Sequence, residues 1–364
     1  MKSSRFTTLV GVAAVAVVLA GWAILSRPAM ESSDFDGAVV FPDLLDSLND
    51  LDRIVVRHKD GVETLEATDE GWVYVERDNY PVQGDKVGEL VVKLSRLEKI
   101  EPKTKLAERY DRLDLADPEV KDDTRAKEVA LIDSEGAEMA RLLVGKRKFT
   151  LGSTEGGTYI LVPDDPQAWL VTGELNPGTR ARDWLVREIT DIKDKDIQRI
   201  RIVHPDGEEL VVYKETPEQA NYAVENVPED MVLRRDSIAD DTGRVLSNLL
   251  LDDVKKAADV DFPADQTITA TFLGFDGFTI DVDLIESGDE NWLRFRGQAP
   301  QEVPASEVSG EEESGQVSKP NWADVIAELN AKADGWVYQL PGYEVAPLKK
   351  RMTDLVREPD EDGV

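Results

Sequence analysis

The stretch "RIVVRHKDGVETLEA" at residues 53–67 returns as "RIRIVHPDGEELVVY" at residues 199–213, and how this phrase folds decides the architecture. One constant offset aligns Arg53, Ile54, His58, Asp60, Gly61 and Glu63 with Arg199, Ile200, His204, Asp206, Gly207 and Glu209. In a strand, Ile54, Val56 and His58 share one face while Val55 and Arg57 point the other way. Asp60-Gly61 and Asp206-Gly207 are hairpin signals, because a type I′ turn needs positive φ at both central residues. Folding about them predicts the pairs His58–Glu63 and Val56–Leu65 in the first copy, and His204–Glu209 and Ile202–Val211 in the second. His58 and His204 are the only 2 histidines. Their repeated placement reads as a polar cap on an apolar strand face, worth ~0.2–1 kcal/mol per pair, rather than as a site.

The repetition continues outward. A third strand is expected at "GWVYVE" (71–76) and at "NYAVEN" (221–226). A helix follows each, with apolar positions stepping by three and four: Val87, Leu90, Val91, Leu94 and Leu97, then Ile238, Val245, Leu246, Leu249 and Leu250. "EVALIDSEGAEMARLLVGK" (128–146) and "TITATFLGFDGFTIDVDLI" (267–285) read as hairpins about a glycine turn. "AWLV" at 168 matches "GWVY" at 335, each before an expected helical run, 181–189 and 343–356. The predicted fold class is therefore α+β: an N-terminal transmembrane helix, then two tandem copies of an antiparallel strand-meander/helix unit. The expected organisation is a cytoplasmic stub and anchor (1–28), a tether (29–50), a first repeat (51–192), a second repeat (193–358) and a disordered tail (359–364). Residues 299–320, acidic and rich in Ser and Pro, are expected to be a disordered insertion in the second repeat. "NWADVIAELNAKAD" after it reads as an added amphipathic helix.

Composition narrows the functions. With 43 basic against 74 acidic residues the net charge is −31, which repels phosphate backbones and argues against nucleic acid. The acidity suits either a saline habitat or a basic partner. The absence of Cys excludes disulfides, thiol nucleophiles and Cys-ligated metals. Two histidines leave few transition-metal options, and no calcium-loop spacing occurs.

Residues 6–25, "FTTLVGVAAVAVVLAGWAIL", carry no charge. At 1.5 Å per residue this run spans a ~30 Å hydrocarbon core. It exceeds the h-region of a signal peptide, and Leu25, Ser26, Arg27 and Pro28 supply no small-x-small cleavage site. Lys2 and Arg5 before it predict a cytoplasmic N-terminus. The expectation is a single-pass protein of the bacterial inner membrane with its large domain in the periplasm.

In order along the chain, "LDRIVVRHKDGVETLEATDEGWVYVE", "YPVQGDKVGELVVKLSRLE", "LDLADPE", "LLVGKR" and "TYILVPDDPQAWLV" resemble the bacterial family named domain of unknown function 4340. The likeness covers most of residues 45–190 and recurs more weakly over 193–358. It implies a membrane-anchored protein, often encoded beside components of ABC exporters like those linked with gliding motility. It carries no functional residues over.

No motif points to chemistry. "VGKRKFT" at Val144 lacks the G-x-x-x-x-G-K-[ST] spacing of a phosphate loop, and Arg147 stands where Ser or Thr is required; a hairpin turn accounts for it. "GSTEGG" at Gly152 lacks the order of a nucleophile elbow. Trp72, Trp169, Trp184 and Trp336 would suit a glycan groove, but their place in repeated strands and a closing helix favours core packing. No catalytic, cofactor-binding or metal-ligating residue is singled out, and no cofactor is expected. The reading is a non-enzymatic, membrane-anchored periplasmic auxiliary or scaffold protein. Its partners would be the inner membrane and membrane-protein subunits of an ABC-type transport assembly. A periplasmic ligand- or glycan-binding module is the alternative, and a hydrolase ranks last.

Overall fold

The computed structural model describes residues 37–149, 156–300 and 320–359. It is mostly β-sheet, 39% strand against 22% helix. This corrects the α+β expectation. The charge-free run 6–25, expected to be a transmembrane helix, the bulk of the acidic insertion and nearly all of the tail lie outside the described residues. Among the described residues no helix is long and apolar enough to cross a membrane.

Ten strands make the first sheet: β1 (Ala38–Val39), β2 (Leu51–His58), β3 (Gly61–Thr68), β4 (Gly71–Tyr74), β5 (Tyr80–Pro81), β6 (Glu98–Pro102), β7 (Lys127–Asp133), β8 (Glu138–Lys148), β9 (Gly157–Leu161) and β10 (Trp169–Thr172). Their order is β1-β6-β10-β9-β8-β7-β2-β3-β4-β5. After β11 (Glu188–Thr190) come β12 (Ile197–Val203), β13 (Glu209–Tyr213), β14 (Ala223–Val224), β15 (Val232–Leu233), β16 (Leu249–Leu250), β17 (Asp253–Lys256), β18 (Ile268–Gly274), β19 (Thr279–Ser287), β20 (Glu290–Gln298), β21 (Trp336–Leu340) and β22 (Val356–Arg357). The second sheet runs β14-β13-β12-β18-β19-β20-β21-β17, and β11–β16 and β15–β22 form two small pairs. Matching β2, β3 and β4 to β12, β13 and β14, and β6 through β10 to β17 through β21, makes the two orders identical apart from the edge strands β1 and β5, which have no counterpart in the second sheet.

What the halves do not share is helix. The first has α1 (Gly84–Ser95), with Val87, Leu90, Val91 and Leu94 buried. The helix expected around Ile238 to Leu250 is only the turn Asp240–Gly243, and Leu249–Leu250 is a strand. Gly243 lies against the Tyr222 ring, where a Cβ would come within 2.3 Å, and Asn248 has φ +50°. A left-handed residue ends any helix there. The run 181–189 is the 3-10 turn Ala181–Asp183 leading to β11, and 343–356 breaks into Gly342–Val345, Ala346–Lys349 and Met352–Leu355. Apolar residues at helical spacing are buried in these segments, but as turns and short strands. The added helix does form, as α2 (Trp322–Ala333), with Asn321 accepting the Ala323 N–H as its N-cap.

The chain groups into two compact units. Among the described residues the first comprises 37–51, Arg57–Gly61, 89–149 and 156–177. Along β7 and β8, Val129, Leu131, Ala140, Leu142 and Val144 face the core. On the other face, the connection between β6 and β7 lays Tyr110, Leu113 and Leu115 over Leu143, Leu161 and Ala168. Glu128 on that face is buried and accepts from Arg57 (2.5 Å) and Arg141 (2.7 Å).

Among the described residues the second unit comprises Asp52–Val56, Val62–Gly88, 178–300 and 320–359. Ile200, Ile202, Leu210, Val212, Ala270, Phe272, Ile280, Val282 and Leu293 form its core face. The opposite face carries Arg201 beside Glu209, Arg199 beside Glu225, and Asp283 accepting from Arg294 (2.7 Å) and Thr269 (2.9 Å). The β17–β18 connection covers the end of that face, placing Val260 and Phe262 on Ile285, Trp292 and Val337.

The second Asp-Gly hairpin has a register one residue from that expected. Ile202 pairs with Leu210 and Val203 with Glu209, because the loop is Pro205-Asp206-Gly207 with only the glycine left-handed, at φ +87°. Three-residue loops with glycine in that position are the next commonest hairpin class after two-residue turns. Neither Asp60 nor Asp206 has positive φ, so neither copy makes the type I′ turn.

Candidate functional site

In the first unit, the end of β8 meets the β6–β7 connection and the segment after β10 around a cleft of about 340 Å³. Arg125 and Lys127 line one side, Lys146 and Arg147 another, with Asn176 and Phe149 completing the rim. Among the described residues Asp114 is the only carboxylate in this lining. Even counting Glu174, which pairs with Arg147, four described cations face two carboxylates, the reverse of a chain whose net charge is −31.

Local backbone geometry makes the cleft. The β8–β9 register shifts between Val144 and Arg147, a bulge that re-aims the side chains beyond it. Gly145 within the bulge permits this, since a Cβ there would lie 2.2 Å from the Leu113 carbonyl oxygen. Asp114, left-handed at φ +54°, turns the covering chain so that Leu115 is buried beside the cleft.

The cations are held by a mixture of neutral oxygens and carboxylates. Lys127 Nζ donates to Asn176 Oδ1 and to the Pro177 carbonyl, both at 2.8 Å. Lys146 Nζ donates to the Arg112 carbonyl at 2.7 Å and stands 3.8 Å from Asp114. Arg147 pairs with Glu174 and lies over the Phe149 ring, 5.2 Å from its centroid. Arg125 is exposed, and neither an ion pair nor a hydrogen bond ties its side chain to another described residue. Carbonyls orient an ammonium without cancelling its charge, so the cleft keeps a positive field. A second cleft of about 430 Å³ lies on the other side of Leu175, between Val92, Arg96 and Leu97 of the α1 end and Thr172–Glu174.

A different cluster in the second unit is structural. Lys214 is buried, 3.4 Å from Asp194 and 4.6 Å from the Tyr222 ring centre. The Tyr222 hydroxyl donates to the carbonyls of Asp194 and Ile197, and burial, followed by the charges of Asp194 and Asp240, pushes its pKa up. Its proton is committed to the backbone.

The two histidines occupy matching strand ends in different surroundings. His58 is half-buried and its Nδ1 accepts the Asp60 N–H at 3.3 Å. His204 is buried, with Nε2 3.0 Å from the Lys350 carbonyl oxygen; Val203, not His204, faces Glu209. Trp169 and Trp184 are buried, whereas Trp72 and Trp336 are half-buried, Trp336 under Lys256 and edge-on to Tyr80. Val144 to Lys148 of "VGKRKFT" form the end of β8 rather than a turn. Most of "GSTEGG" lies outside the described residues. Sequence reasoning passed over Arg125, Lys127, Lys146 and Arg147 because they come from separated segments. The one available clue was the run Lys146-Arg147-Lys148 in an acidic chain. Among the described residues no group of three or more His, Asp or Glu could hold a metal ion.

Among known families, the one described as "Domain of unknown function (DUF4340)" matches residues 72–268, more than half of the chain. No curated protein and no solved structure matches it.

Proposed function

The chain belongs to the DUF4340 family, and from that premise we propose that it is a membrane-anchored, periplasmic, non-enzymatic auxiliary protein. Its partners in this reading are membrane-protein subunits of an ABC-type transport system. The observation that carries it is the open face of the second sheet. Arg201 and Glu209 are about half exposed and Arg296 is 64% exposed, and their neighbours Thr269, Thr271, Asp281 and Asp283 form cross-strand bonds between β18, β19 and β20. A lattice of alternating charge suits docking against a complementary protein surface, where charge sets register and encounter rate. The charge-free run 6–25 supports the anchor. The basic cleft favours a second role, ligand binding, and one chain can hold both.

The test is affinity purification of the full chain from detergent-solubilised membranes. Transport subunits are expected to co-purify with the wild type and to be lost with Arg201→Glu/Arg296→Glu. A chain that purifies alone, or whose subunits persist in the double variant, would overturn the reading.

A further inference from the structure

We propose that the cleft between Arg125, Lys127, Lys146 and Arg147 is a binding site for a phosphomonoester. The inference stands apart from the docking role, since it uses a different surface and unit.

Three observations converge. In a chain with 74 acids and 43 bases, cations usually settle on carboxylates, as Arg57, Arg141, Arg199, Arg201 and Arg294 do. Among the described residues Arg125 does not; Lys127 donates to the Asn176 and Pro177 oxygens and Lys146 to the Arg112 carbonyl, and although Asp114 stands 3.8 Å from Lys146 and Glu174 pairs with Arg147, the four cations still outnumber these carboxylates. The bond from Lys127 also fixes the Asn176 amide, since its Oδ1 accepts and its Nδ2 is left as a donor. Second, the donors come from three separate chain segments. A tetrahedral dianion offers oxygens in three directions, whereas a planar carboxylate offers two in one plane. Guanidinium and ammonium groups match phosphate oxygens with charge-assisted bonds. Third, the volume of about 340 Å³ falls at the small end of organic-ligand sites. Leu175 and the Phe149 ring, 71% exposed, supply apolar wall beside the cations. Inorganic phosphate alone would leave that wall unused, which points to a phosphate carrying a small organic group.

The same chemistry occurs in a soluble sugar or glycerol phosphate and in a phosphatidic acid headgroup. Full-length protein in phosphatidylcholine nanodiscs would be titrated with glycerol 1-phosphate, with inorganic phosphate and with sulfate, and compared with protein in discs that also contain phosphatidic acid. Saturable binding of glycerol 1-phosphate is expected, tighter than sulfate. Arg125→Gln/Lys146→Gln should weaken it about ten-fold or more, while Lys59→Gln, which removes an exposed charge elsewhere, should change it less than about two-fold. Circular dichroism would confirm that the variants stay folded. If phosphatidic acid in the disc abolishes glycerol phosphate binding in the wild type, a lipid headgroup is the natural source; if it does not, the source is soluble. Binding that is absent in both kinds of disc, equal for sulfate, or unchanged in the double variant would overturn the proposal.

Discussion

Two hairpins hold the same place in the two sheets and end in opposite ways. In β19–β20 the register runs unbroken from Thr279↔Gln298 to Ser287↔Glu290 and closes at Gly288, φ +63°. Glu286 near its end pairs with Lys349. In β8–β9 the register breaks after Val144. Aligning the core residues Ala140, Leu142 and Val144 with Ile280, Val282 and Leu284 sets Lys146 opposite the position of Glu286, and Gly145 opposite that of Ile285. The connections that cover these hairpins differ as well: residues 103–126 in the first unit, only 257–267 in the second. Strand order and core face are common property. Charge and shape at the strand ends are individual, which is where loops on a rigid scaffold carry function.

The largest effect should test what the sheets share. Each holds one buried carboxylate between arginines on its non-core face, Glu128 with side-chain exposure of 4% and Asp283 with 6%. Removing a buried partner leaves cations desolvated without compensation. Because the arginines are themselves 30% or more exposed, Glu128→Ala and Asp283→Ala should each cost about 3 kcal/mol, toward the low end for such pairs, read by urea unfolding. A large loss in one half with none in the other would break the equivalence of the two faces.

A smaller effect should separate the hairpins. Gly145→Ala forces a Cβ toward the Leu113 carbonyl, and backbone cannot step aside as a flexible side chain can. The expected cost is roughly 2 kcal/mol, with phosphate affinity falling too, because the bulge aims Lys146 and Arg147. Gly297→Ala in β20 meets side-chain atoms rather than backbone, Ile326 at 2.7 Å and Asn330 Oδ1 at 3.5 Å, and should cost less when both melting curves are compared. Equal losses would mean that the bulge is not a distinguishing feature.

These contrasts also mark what could be read in advance. Alternating phrases such as 53–67 and 267–285 announce strands, because half-buried strands keep period two against a core. The α1 periodicity was equally legible. The second expected helix was not, since Ile238, Val245, Leu246 and Leu249 satisfy helical spacing while Gly243 and Asn248 serve a close contact and a left-handed turn that only tertiary structure makes visible. The cleft was hidden for a related reason. Arg125, Lys146 and Asn176 become neighbours through a bulge and a long connection, and no local pattern encodes that meeting.

The smallest effect returns to the repeated phrase. Equal spacing suggests equal roles for its histidines, and the structure gives them unequal ones. His204 is buried 4% exposed beneath the Lys350 carbonyl, and the segment it holds is further tied down by Lys350 donating to Asp241 (2.6 Å) and by Arg351 beside Glu208. His204→Gln keeps a donor but gives up ring packing and bond geometry, so it should cost about 1 kcal/mol, the size of one net hydrogen bond. His58 is half-buried at the end of β2, and His58→Gln should stay within about 0.5 kcal/mol of wild type, as most surface changes do. Thermal unfolding of the two single variants would rank His204→Gln as the larger loss. If His58→Gln proved the more damaging, the two phrases would have to be read as sharing more than strand order.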